Sequence, residues 1–124
     1  MPRLPIAGDA GDHPCMDSPR SERLRKQIDG PRDGALLRFS LGNALLAEGD
    51  AAAAVVEFRA ATQFDPTYSA AWKLLGNVLS ESGDRAAAMD AYQRGIVVAD
   101  ARGDKQAAKE MQVFLRRLNK QGQE

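Results

Sequence analysis

The stretch Ala71–Tyr92, AWKLLGNVLSESGDRAAAMDAY, decides the fold. It joins two helical segments, about Tyr68–Ser82 and Arg85–Ala101, through Gly83-Asp84. The glycine can take the left-handed conformation that ends one helix, and the aspartate can cap the next. The same text stands 34 residues earlier: Leu41-Gly42-Asn43 returns as Leu75-Gly76-Asn77, and Gly49-Asp50 as Gly83-Asp84. Ala54 returns as Ala88 and Phe58 as Tyr92. A period of this length with two helices per unit marks a helical repeat array.

Outward from that core, further helical segments are expected at Gly34–Glu48, Ala51–Phe64 and about Lys105–Asn119. Gly49-Asp50 and Gly103-Asp104 repeat the same break, and Asp65-Pro66 supplies another. Proline cannot continue the preceding helix and disfavours helical geometry at the residue before it. A short charged segment from Arg20 to about Ile28 carries Leu24 and Ile28 four apart on one face and stops at Asp29-Gly30-Pro31. Nothing reads as a strand, so the fold class is all-α. Residues 1–18 are rich in Pro, Gly and Asp with no apolar period, and are expected to form a disordered tail. Met16 stands just before the first helical segment and is a candidate true start. An intact mass beginning at Met1 would remove that idea.

Close packing gives the repeat its physical sense. Gly42 and Gly76 let the first helix of each unit approach the second, Ala54 and Ala88 do so from the other side, and Phe58, Trp72 and Tyr92 fill the space between. Each unit alone leaves an apolar face, so neighbours must stack and the ends must be covered. Ala108, Met111, Leu115 and Leu118 can cover one end, with Lys109, Arg116 and Lys120 toward water; Leu24 and Ile28 can cover the other.

Trp72, Leu75, Gly76, Leu79, Ala88 and Tyr92, with Leu41, Gly42, Leu45, Ala54, Phe58, Ala61 and Pro66 before them, closely resemble the tetratricopeptide repeat pattern. Arg38 where tryptophan is usual, Gly95 for a later alanine and Asp100 for proline depart from it. The resemblance implies a short right-handed α-solenoid over residues 19–121. Repeat one would span about 34–67, repeat two about 68–101, and a C-terminal capping helix about 104–120. It resembles small bacterial repeat proteins and implies a protein-binding module. Stability should be modest, because two full units fall below the roughly three usually needed.

Chemistry of other kinds finds little support. Lys+Arg and Asp+Glu both count 17, whereas a chain that grips phosphates usually carries an excess of cations, so nucleic acid is not an expected partner. The single cysteine, Cys15, permits no internal disulfide and suits the cytoplasm. No signal-peptide core or membrane-spanning run is present. His13 and Cys15 are too few to hold a metal, no phosphate-binding glycine loop occurs, and no nucleophile has a histidine partner in the folded part. Neither an enzyme nor a bound cofactor is expected.

The surface remains. In the family that this chain resembles, the first helices of the units line a concave groove that receives a peptide. Carried over by position, that groove would present Phe39, Asn43 and Leu46 from the first unit and Lys73, Asn77, Ser80 and Glu81 from the second. Asn43 and Asn77 can grip a peptide backbone, or can satisfy neighbouring groups instead. Phe39 and Leu46 would be apolar anchors, and Lys73 could meet a carboxylate. A full clamp for a C-terminal carboxylate is not implied, because Asp104 and Ala107 stand near its further positions. The alternative reading is self-association through the basic terminal helices, giving a weak homodimer.

Overall fold

In a computed structural model of the chain, residues 19–122 are described. The expected tail, and with it Met16, His13 and Cys15, lies outside them. Among the described residues six helices follow one another: α1 (Arg20–Arg25), α2 (Ala35–Ala47), α3 (Ala51–Phe64), α4 (Ser69–Glu81), α5 (Arg85–Arg102) and α6 (Lys105–Gly122). Among the described residues there is no strand. Each helix packs on its neighbours in sequence, and α4 also touches α6, which is the order of a solenoid.

The Gly-Asp breaks explain where the helices stop. At the end of α2, Gly49 takes φ 88°, Gly49 N–H donates to the Leu46 carbonyl at 3.1 Å, and Asp50 N–H donates to Leu45 at 2.9 Å. These two bonds satisfy carbonyls that the helix end would leave open. The Asp50 carboxylate then accepts from Ala53 N–H at 3.1 Å and caps α3. Asp84 and Asp104 cap α5 and α6 in the same way, through Ala87 and Ala107, both at 3.2 Å. The α3–α4 connection differs. There the Asp65 carboxylate accepts from Thr67 N–H at 3.0 Å and from its hydroxyl at 2.6 Å, which turns the chain without a cap on α4.

The core is a continuous row containing Leu41, Leu45, Phe58, Leu75, Val78, Tyr92 and Met111. A Cβ on Gly42 would stand 2.7 Å from the Phe58 ring, and one on Gly76 would stand 2.5 Å from the Tyr92 ring. The helices approach on those glycines. Gly95 performs the same service for α6, lying against Met111 and the Cβ of Trp72.

One local expectation is modified, and two side chains take seats built by distant partners. The first helix ends at Arg25 rather than near Ile28, because tight turns close Gln27 on Leu24 and Gly30 on Gln27. Leu24 and Ile28 nevertheless pack on the core. Buried Ser21 ties α1 down, donating its N–H and hydroxyl to Glu48 at 3.2 and 2.6 Å. At the position where tryptophan is usual, Arg38 holds Asp33 through two nitrogens at 2.9 and 3.0 Å and Glu57 at 3.2 Å, with Phe64 under its guanidinium. Arg38, with the Asp29 and Gly34 amides, lowers the Asp33 carboxyl to about 2.

Candidate functional site

The side of α4 that carries Lys73, Asn77, Ser80 and Glu81 faces α6, and the two helices form the walls of two adjoining clefts. Asn77, Ser80 and Glu81 enter the first, of about 340 Å³, together with Tyr92, Phe114, Arg117 and Gln121. The Tyr92 hydroxyl donates to Asn77 Oδ1 at 2.5 Å. With its oxygen engaged, the amide keeps its two N–H donors for other partners. Burial, with the nearby Glu81 charge, pushes the Tyr92 hydroxyl up to about 12, so it stays a donor. The Arg117 guanidinium stands 6.0 Å from the centre of the Phe114 ring. A cleft furnished with an amide, a hydroxyl, a carboxylate and a guanidinium beside an aromatic face can grip the carbonyls and amides of a peptide.

Lys73 enters the second cleft, of about 270 Å³, with Ser69, Asp104, Gln106 and Glu110. Here Lys73 already has a partner within the chain. Lys73 Nζ lies 2.8 Å from Glu110 Oε1 within the same chain, and Gln106 donates to the other oxygen at 3.2 Å. Lys73, with help from Gln106, holds the Glu110 carboxyl below its ordinary range. The carboxylate that Lys73 meets is therefore the chain's own.

On α2 the expected anchors are only partly open. Phe39 is half-buried, with its ring tilted against Tyr68 and Phe58 at 4.9 and 5.8 Å between ring centres. Leu46 packs partly on the core. Asn43 is half-buried and its side chain makes no hydrogen bond among the described residues. Its counterpart to Tyr92 is Phe58, which has no hydroxyl to offer. The two asparagines are thus alike in sequence and different in setting: Asn77 is oriented from within and Asn43 is not.

Phe114, Arg117 and Gln121 were not expected in the groove. The reason is register. The second unit is longer than the first: α6 begins at Lys105, 36 residues after Ser69, whereas α4 begins 34 residues after Ala35, and the residue of α6 paired with Lys73 is Glu110, 37 positions on. Asp104 is instead the α6 cap and Ala107 is buried. Applying an offset of 37 to Asn77 and Ser80 points to Phe114 and Arg117. Among the described residues, no group of three or more His, Cys, Asp or Glu could hold a metal, and no helix is long and apolar enough to cross a membrane.

Comparison with known proteins agrees with this architecture. The tetratricopeptide repeat family model matches residues 45–111, from within α2 to within α6. A TPR repeat-containing protein of Pseudomonas aeruginosa is 46% identical over 99 residues, covering 80% of this chain and 94% of its own length. A solution structure from Bordetella parapertussis is 46% identical with a TM-score of 0.70, covering 84% of this chain and 90% of that one. A tetratricopeptide repeat domain protein from Salinibacter ruber gives a TM-score of 0.66 at 26% identity, over 71% of this chain and 88% of that one. With its 34-residue repeat, glycine-mediated helix pairs and these matches, the chain belongs to the tetratricopeptide repeat family.

Proposed function

We propose that this chain is an adaptor that holds a peptide segment of a partner protein in the groove between α2, α4 and α6. Tetratricopeptide repeat proteins are typically non-enzymatic modules for protein–protein interaction, and a role without catalysis is part of this reading. The observation that carries it is the α4–α6 cleft, where Asn77, Ser80 and Glu81 meet Phe114 and Arg117. The NH₂ of Asn77 and the Ser80 hydroxyl can bond to backbone carbonyls of any sequence, while Glu81 and Arg117 select by charge. The balance of 17 cations and 17 acids supports a protein partner over nucleic acid, and the single cysteine fits the cytoplasm.

The test is affinity capture by the full chain and by a Ser80→Arg/Arg117→Glu variant. Neither side chain has a hydrogen bond or ion pair among the described residues, so the variant should melt like the parent. A partner bound by the parent and lost from the variant supports the groove. A partner retained equally, or capture of the chain's own copies alone, would favour the alternative of self-association through the terminal helices.

A further inference from the structure

The opposite side of α4 borders a separate cleft of about 430 Å³ between α3 and α5. None of the residues that line it lines the two groove clefts. Its floor is the half-buried Trp72, whose indole N–H donates to the Pro66 carbonyl at 2.8 Å and so holds the ring in place. Arg59 and Gln63 stand on the α3 side, Asp90 and Arg94 on the α5 side.

The charges here are uneven. Arg94 places its guanidinium 6.0 Å from the Trp72 ring centre and its Nε 3.0 Å from Asp90. That ion pair is one helical turn apart and about three-fifths exposed on both sides (62% and 61%), a kind that contributes little in water. Arg59 is exposed and makes no ion pair among the described residues. Arg38, by contrast, is sheltered and shared between two carboxylates. Two guanidiniums with one loosely held carboxylate, set over an indole and a proline ring, complement an acidic group carried next to an apolar one. A partner's carboxylate can take Arg59 and displace Asp90 from Arg94 at little cost, because guanidiniums bind carboxylates through paired N–H bonds. Arginine and tryptophan are also the side chains on which binding energy concentrates.

We propose that this cleft is a second docking site, which takes an acidic segment of a partner protein. An Asp or Glu carboxylate sits on Arg59 and Arg94, and the adjacent apolar side chain sits on Trp72 and Pro66. The site goes beyond the groove reading and stands without it, since no residue is shared. It lets one chain hold two segments at once, one on each side of α4.

Trp72 is the only tryptophan, so its indole N–H resonance reports on this cleft alone. The full chain is titrated with a blocked hexapeptide of glutamate and leucine, Ac-ELEELE-NH2, and with its lysine counterpart. A saturable shift of the indole signal is expected from the glutamate peptide only. Binding should weaken roughly tenfold or more in Arg59→Gln/Arg94→Gln. It should tighten in Asp90→Asn, where the internal competitor is gone. Arg59→Gln alone breaks no internal ion pair, so its loss of affinity cannot be ascribed to unfolding. The groove variant Ser80→Arg/Arg117→Glu should titrate like the parent. The proposal is overturned by any of three results: no indole shift at millimolar peptide, an equal shift with the lysine peptide, or a shift that survives the double arginine variant but not the groove variant.

Discussion

Gly76 carries no side chain because the Tyr92 ring occupies the space where one would stand. A leucine there must push a packed aromatic ring that is 2% exposed, and overpacking of this kind costs about 1–3 kcal/mol or more. Gly76→Leu should therefore lower the urea midpoint sharply, and an unchanged midpoint would remove Gly76 from the interior. Tyr92 also makes a prediction at alkaline pH. Its hydroxyl titrates at about 12 in the fold against an ordinary 10.0. The unfolded chain releases that proton first, so this contribution to stability is whole below pH 10 and is lost as pH rises toward about 12. Tyr92→Phe should flatten that decline, leaving the part due to Tyr68, which burial also raises. An identical alkaline profile in parent and variant would contradict the assignment.

At the level of the helix, the breaks legible in the sequence are those with a local chemical cause. Gly49-Asp50, Gly83-Asp84 and Gly103-Asp104 each end one helix and cap the next, as their residue types require. Asp84→Ala should cost about 1 kcal/mol by removing the bond to Ala87 N–H, measured by thermal unfolding. What was not legible depended on distant partners. The seat of Arg38 is built by Asp33, Glu57 and Phe64, which no helical period announces. Likewise α5 runs to Arg102 because nothing before Gly103 stops it, and the longer second unit sets Phe114 and Arg117 beside Asn77 and Ser80, in addition to the neighbours of Asp104 beside Lys73. Asn43, Asn77, Ser80 and Glu81 lie on the expected helices, but whether an amide is free or engaged rests on one hydroxyl, present in Tyr92 and absent from Phe58. The Arg38 network sets an acid limit. Asp33 titrates at about 2 against 3.8, so its contribution is present above pH 3.8 and lost as pH falls toward about 2. Arg38→Gln should remove that part of the acid transition; an unchanged acid profile would mean that the network does not act.

For the whole molecule, stability is the sum of neighbour contacts along a short array, and α6 closes it. Met111 and Leu118 bury the apolar face of the second unit, so α6 serves as cover. Phe114, Arg117 and Gln121 make the same helix one wall of the groove. One element thus covers the second unit and lines the cleft in which the proposed groove lies. The outer face of α6, with Lys109, Arg116 and Lys120, stays in water. The most direct measurement of the groove proposal is site-specific photo-crosslinking in the native lysate, with the reactive group placed at Ser80 in one sample and at Arg116 in another. A covalent adduct with a different protein at Ser80 and none at Arg116 is the expected result. Adducts at Arg116 with Ser80 silent, or adducts joining only copies of this chain, would contradict it.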